Sequence, residues 1–132
     1  MTARSNLDAT LTFVKTITQR NPERLAALMT KNHAFVNRLK TRIECRQQVK
    51  AAFEAYFRMV PDYTIVIEET FSEGSIVVML GSVDGTYSTD GTLRPENHWT
   101  TSAAWRASIR DSLIEEWRVY ADNEPIRQIM RR

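Results

Sequence analysis

Histidine and cysteine are scarce in this chain, with two His and one Cys in 132 residues. His33, Cys45 and His98 are far apart, so no metal-ligand spacing is present. A lone Cys45 excludes an intrachain disulfide and fits a reducing compartment. It precedes a predicted helix, where a thiol can acidify, although a small semi-buried residue is the plainer reading. Charge of one sign is also lacking: 18 Lys and Arg face 16 Asp and Glu, a net charge of +2. Nucleic-acid binding needs basic charge clustered on one face, and none is visible. Arg127, Arg131 and Arg132 read as a solvated tail. No apolar run nears the roughly 18 residues of a membrane span, and no signal-peptide core opens the chain. The chain therefore reads as soluble and cytoplasmic, without membrane or nucleic-acid partners. Glycine-rich phosphate loops, Ser/His/Asp triads, repeats and linkers are missing too. The length suits one domain over residues 1–132, and 42% apolar content is enough for a real core.

The first part of the chain has helical periodicity. Leu7, Leu11, Val14 and Ile17 recur at helical spacing beside Phe13, with Ser5 or Asn6 as cap, giving a helix over about 6–20. Asn21-Pro22-Glu23 reads as cap, first-turn proline and dipole-friendly acid. A short second helix follows, with Leu25, Leu28 and Met29 buried. His33 to Asn37 is short and β-leaning. Val49, Phe53, Tyr56, Phe57 and Val60 then form one stripe on a third helix, which Pro61 ends.

Beyond Pro61 the period changes to two. Residues 63–71 and 75–83 read as strands joined by Ser72-Glu73-Gly74. Tyr87 to Glu96 is a polar loop. Two further strands follow. Trp99, Thr101, Ala103 and Trp105 share one face of the first, and Trp117, Val119 and Ala121 one face of the second. Arg106, Glu116, Arg118, Tyr120 and Asp122 fall on the opposite face, as does His98 on its own strand. A three-residue loop, Arg110-Asp111-Ser112, would place Trp105 opposite Trp117, Ala103 opposite Val119 and Arg106 opposite Glu116. Helices first and four antiparallel strands afterwards make an α+β fold, with helices on one face of a curved sheet.

Four phrases carry a family resemblance: His33-Ala-Phe-Val-Asn37, Arg46-Gln-Gln-Val-Lys-Ala-Ala-Phe53, Phe57-Arg-Met-Val-Pro-Asp62 and Ile114-Glu-Glu-Trp-Arg-Val-Tyr-Ala-Asp122. With this element order, the chain resembles the SnoaL-like branch of the nuclear transport factor 2-like superfamily. The resemblance implies a cone-shaped half-barrel closed by three N-terminal helices on a curved, mainly antiparallel sheet. It implies a mostly apolar pocket lined by Phe13, Ile17, Phe35, Asn37, Tyr56, Phe57, Trp99, Thr101, Ala103 and Val119. Such a fold hosts many chemistries, so function has to be read from the site.

Aligned on these phrases, the ketosteroid isomerase base position holds Asn37, and the second acid position holds Ala103. An amide is no base near neutral pH. The limonene epoxide hydrolase positions hold Phe35 and Asn37 on the short strand, Thr101 and Ala103 on the penultimate one, and Val119 on the last. Their charged constellation is absent. A SnoaL-type cyclase needs a single acid or base near an enolisable carbon, and the candidates are His33, Tyr56 and Asn37. Asp122 falls outside by parity unless a bulge reverses the face, and the adjacent Glu68 and Glu69 point apart on a regular strand.

The expectation is a cytoplasmic protein that binds a hydrophobic small molecule, with cofactor-free cyclase- or isomerase-like proton transfer as its chemistry. A homodimer through the sheet is expected, since the outward face mixes Arg106, Glu116, Arg118 and Tyr120 with Ala104. The alternative is a non-catalytic dimerisation module or an accessory subunit of a larger enzyme.

Overall fold

A computed structural model describes residues 5–37 and 41–132. Among them, helices α1 (Asn6–Thr18) and α2 (Pro22–Ala27) come first. Strands β1 (Met29–Val36) and β2 (Arg42–Glu44) lead into α3 (Arg46–Met59). Strands β3 (Thr64–Glu73), β4 (Ile76–Thr86), β5 (His98–Arg110) and β6 (Leu113–Ala121) follow, and α4 (Glu124–Met130) ends the chain. One sheet has the order β2-β1-β6-β5-β4-β3. The meander from β3 to β6 is antiparallel, and β1 lies parallel to β6. The α+β class is as expected. The helix count differs, because α4 follows the sheet.

Local chemistry explains the helices. The Asp8 amide donates to Ser5 Oγ at 3.0 Å, and the Arg24 amide donates to Asn21 Oδ1 at 3.1 Å, so both caps fill orphan helix donors. The buried face of α1 is rotated from the expected stripe. Leu11 is 38% exposed, whereas Thr10 and Thr16 are buried. Their hydroxyls donate to the Asn6 and Thr12 carbonyls at 2.8 Å, which makes their burial inexpensive. Helix α2 stops sooner than expected, and Met29 is buried at the start of β1 instead. On α3 the stripe holds, with Val49, Phe53 and Phe57 buried.

Trp99, Ala103, Trp105, Ala107, Ile109 and Trp117 are all buried on one sheet face. The parity reading of β5 and β6 therefore holds, but their register differs from the expected one. The turn is the two residues Asp111 and Ser112, both at positive φ (53° and 65°), as the twist of a tight hairpin requires. It pairs Arg110 with Leu113 and Ile109 with Ile114. Continued, that register would put Trp117 on the face of Arg106. An extra residue, Glu115, breaks it: Ser108 pairs with Glu116, Ala107 with Trp117 and Trp105 with Val119. The bulge returns the odd residues of β6 to the inward face.

His33 supports this bulge. It lies within β1, which begins earlier than the β-leaning stretch that His33 opens, and it is fully buried. The β1–β6 ladder is irregular between Met29 and Ala34. There the Ile114 carbonyl, in the peptide that leads into Glu115, meets His33 Nδ1 at 2.7 Å. The carbonyl can only accept, so Nδ1 carries the proton. The imidazole supplies a donor beside the bulge, and its Nε2 is buried without a partner.

The Arg-rich tail is also corrected. Ile126 and Ile129 of α4 are buried in the core cluster, and Arg132 donates to the Glu96 carbonyl at 2.9 Å. Asp122 is exposed, and its Oδ1 accepts the Glu124 amide at 2.9 Å, which starts this helix.

Two measurements test this packing. At Gly81 a Cβ would fall 1.9 Å from the Val66 carbonyl oxygen on β3. Gly81→Ala should lower stability by about 3 kcal/mol in urea unfolding, because backbone must move. Burial pushes the His33 pKa below its ordinary value of 6.5, against the opposing pull of the Ile114 carbonyl and Glu116. The unfolded chain thus takes up this proton at higher pH than the folded one. Stability from neutral His33 is complete above 6.5 and is lost as pH falls below it. Unfolding midpoints should drop between about pH 7 and pH 5 in the native chain, and His33→Gln should flatten that slope.

Candidate functional site

Between α1, α3 and the inward sheet face lies a cavity of about 240 Å³. Helix α1 contributes Ile17, and α3 contributes Ala52, Phe53 and Tyr56. The sheet contributes Phe35, Ile65, Val83, Trp99, Trp117, Val119 and Ala121. Asn37, Tyr63 and Asn123, each just outside a strand or helix, complete the wall. Helical spacing puts Phe53 and Tyr56 on one side of α3, and strand alternation puts Trp117, Val119 and Ala121 on one side of β6.

The wall is apolar with a few neutral polar groups, and none of its residues is charged. Tyr56 and Tyr63 meet edge to face at 5.1 Å, and the Tyr63 ring lies 6.5 Å from that of Trp99. Burial pushes the Tyr56 phenol up to about 12. Burial, and then the neighbouring Tyr56, push Tyr63 higher still. Both phenols therefore stay protonated and act as hydrogen-bond donors at neutral pH. Trp99 is 5% exposed, and its Nε1–H is buried without a hydrogen-bond partner.

Six of the expected residues border the cavity: Ile17, Phe35, Asn37, Tyr56, Trp99 and Val119. Asn37 is engaged locally. Its backbone amide donates to the Thr41 carbonyl at 3.1 Å, and its Oδ1 accepts the Thr41 amide at 3.0 Å. That pair joins the ends of β1 and β2. Phe13, Phe57, Thr101 and Ala103 lie off the wall. Phe13 is fully buried against Trp117 at 4.9 Å, and Phe57 packs on Phe53 at 5.7 Å. Thr101 and Ala103 share the inward face, but parity fixes a face and not a depth along it. His33 is also off the wall, sealed beside Phe13 at 6.1 Å.

Trp117 and Ala121, on the inward face of β6, also line the cavity, and Ala52, Phe53, Tyr63, Ile65, Val83 and Asn123 join the wall without having been expected there. Phe53 and Trp117 already stood in the periodic apolar sets, one turn or one pleat from residues that were chosen. Tyr63 and Asn123 lie just beyond an element end, where no period reports direction.

A second polar cluster sits apart from the wall. Asp62 accepts the Thr86 amide at 2.7 Å and the Thr86 hydroxyl at 2.8 Å, and His98 Nδ1 lies 3.2 Å from that hydroxyl. The hydroxyl spends its one proton on Asp62 and is buried, so the chain ties the segment before β3 to the β4–β5 edge. Among the described residues no group of three or more His, Cys, Asp or Glu could hold a metal, and no helix is long and apolar enough to cross a membrane.

A family model described as the SnoaL-like domain matches residues 11–117. Several solved structures share the fold. One, provisionally assigned as a SnoaL-like polyketide cyclase from Shewanella denitrificans OS-217, is 14% identical over 96% of each chain, with a TM-score of 0.82. IdmH from Streptomyces antibioticus, also provisionally assigned as a polyketide cyclase, is 14% identical over 98% of this chain and 100% of that one, with a TM-score of 0.79. A protein with a ketosteroid isomerase-like fold from Catenulispora acidiphila DSM 44928, solved with trimethylamine, is 17% identical over 90% and 86%, with a TM-score of 0.72. No curated protein matches significantly.

The phenols give a direct check on the dryness of the wall. An absorbance titration of the native chain should contain a phenolate step centred at about 12, and Tyr56→Phe should remove it. A step that moves down to the ordinary value of 10.0 would mean that Tyr56 is open to water.

Proposed function

The chain belongs to the SnoaL-like domain family, and from that premise we propose that its cavity binds a hydrophobic, ring-bearing small molecule. The observation that carries this reading is the wall itself, where aromatic and aliphatic side chains surround about 240 Å³ and no charged residue intrudes. Small-molecule sites are typically concave and apolar with a few fixed polar groups.

Cofactor-free proton transfer of the cyclase or isomerase kind needs a group that gives or takes a proton at the cavity. Of the three candidates, His33 is off the wall and Asn37 is an amide clamped to Thr41. Tyr56 remains. Its high pKa suits donation to an oxygen that gains charge and does not suit abstraction of a proton from carbon. We therefore favour binding, with Tyr56 as a donor to any enolate-like oxygen, over catalysis by a protein base.

A second proposal concerns the outward sheet face. Glu116 there lies 3.2 Å from Arg42, 3.2 Å from Arg106 and 3.4 Å from Arg118. Partial burial pushes its carboxyl up, but the three guanidiniums outweigh this and hold it below its ordinary 4.5. Beside this cluster Phe71, Leu80 and Tyr120 are 56%, 36% and 46% exposed. Apolar groups flanked by mixed charge suit a self-complementary contact, and we propose a homodimer through this face.

Tetralin, a neutral two-ring hydrocarbon, tests the cavity. It should quench tryptophan emission saturably, and Ala52→Phe, which fills the α3 side of the wall, should weaken its binding at least about tenfold while the fold is kept. Non-saturable quenching, or full affinity in the filled variant, would contradict the reading. Light scattering tests the dimer: the native chain should be dimeric and Leu80→Arg monomeric, and a native monomer at high concentration would refute it.

A further inference from the structure

His33 is a titratable group sealed inside the molecule, and the binding proposed above does not use it. Its surroundings suit a neutral ring. Nδ1–H donates to the Ile114 carbonyl at 2.7 Å, and Nε2 is buried without a partner. A second proton would sit on Nε2 and make a buried cation with an unmatched donor. The elements around it do little to hold that charge. Helix α1 presents the Phe13 ring at 6.1 Å, while its Asp8 and Lys15 are in solvent, as is Lys31 of β1. On α3, which also packs on β1, Lys50 is paired with Glu23 of α2 and attracted by Glu54. Strand β6 brings Glu115, which pairs with Arg110, and Glu116, whose charge favours the imidazolium. That carboxylate is shared among Arg42, Arg106 and Arg118, and burial of the ring outweighs its pull. His33 also stands behind the cavity wall. Phe13 packs at 4.9 Å on Trp117 and at 6.5 Å on Phe53, both wall residues. Next along the β1–β6 seam, Ala34 pairs with Glu116 and Phe35 with Trp117, and Phe35 lines the cavity too. An imidazolium needs water, and water reaches this ring only if β1 parts from β6 or α1 lifts Phe13 away. Either movement displaces the wall.

We propose that His33 gates the cavity by pH: the cavity is closed and competent to bind while the imidazole is neutral, and opens and loses its ligand when the ring is protonated. This rests on the binding reading above and adds its regulation. The sign follows from linkage. Burial holds the ring's pKa in the closed form below its ordinary 6.5, so the closed form prevails above that value and gives way as pH falls beneath it. The wall itself is silent in that range, since it holds no charged residue and its phenols Tyr56 and Tyr63 titrate far higher. A pH dependence of binding by a neutral hydrocarbon therefore reports a group outside the cavity.

Tetralin, which has no ionisable group, is the probe. Its affinity for the native chain should weaken at least about fivefold from about pH 7 to about pH 5, over the range where circular dichroism shows the chain folded. His33→Gln keeps a donor for the Ile114 carbonyl and cannot gain a proton, and it should bind tetralin equally at both values. His98→Gln, which removes the other histidine, should keep the native slope. Linkage is reciprocal, so saturating tetralin should move the midpoint of the His33 ring-proton resonance to lower pH in the native chain. That readout stands even if His33→Gln does not fold. A native affinity that does not change with pH, a slope that survives His33→Gln or vanishes in His98→Gln, or a His33 midpoint unmoved by tetralin would each overturn the proposal. If tetralin binds saturably at about pH 7 and shows no slope, this inference alone falls. If it does not bind saturably at all, the cavity reading falls and takes this inference with it.

Discussion

One extra residue, Glu115, decides which side of β6 faces the helices. A two-residue turn at Asp111 and Ser112 pairs odd positions of β5 with even positions of β6. Left uncorrected, it would send Arg118 inward and Trp117 out. The bulge at Glu115 inverts that, and Ala107 meets Trp117 instead. Phe13 of α1 then packs on Trp117 at 4.9 Å, and Phe53 of α3 packs on Phe35 at 5.8 Å and on Phe57 at 5.7 Å. The bulge disturbs the backbone ladder, and His33 meets the Ile114 carbonyl at that point. Its imidazole is therefore part of the sheet's hydrogen bonding, which is why the histidine nearest the cavity in sequence pattern is not available to it.

The same parity sets the charge of the two sheet faces. Arg106, Glu116 and Arg118 share the outward face with Arg42, where they form an ion-pair cluster. The inward face keeps tryptophan, valine and alanine. The cavity consequently inherits the phenols of Tyr56 and Tyr63 and no ionised group. In a mostly apolar wall, a neutral donor left without an acceptor is costly. Such a wall suits a neutral molecule and offers no base for proton abstraction.

Much of this was legible in the chain, within limits set by physics. Alternation survives a bulge locally, so the inward sets of β5 and β6 could be read from Trp99 to Trp105 and from Trp117 to Ala121. Register could not, because one added residue leaves each run intact and changes only their pairing. The buried face of α1 was misjudged because threonines that bond the preceding turn bury as readily as leucine. Helix α4 was missed although Asn123-Glu124-Pro125 holds the same residue types as Asn21-Pro22-Glu23, with Asp122 and not Asn123 accepting the first amide. Its arginines flank the buried pair Ile126 and Ile129, so the segment has a polar composition despite its apolar face. At the site, the aromatic wall was foreseeable, and Tyr63 and Asn123 were not, since residues beyond an element end carry no period. The unpartnered Nε1 of Trp99 is a property of packing in three dimensions, and composition gives no hint of it.

The account depends on Glu115 as a spacer and not as a side chain. Among the described residues its carboxylate makes one ion pair, to Arg110 at 3.5 Å, with Arg110 largely and Glu115 partly in solvent. Denaturant unfolding of the Glu115 deletion beside Glu115→Ala separates the two roles. The deletion should lose the cooperative transition, because Trp117 and Val119 would turn outward and Arg118 inward, while Glu115→Ala should unfold within about 0.5 kcal/mol of the native chain. A deletion variant that unfolds cooperatively at the native midpoint would contradict the account.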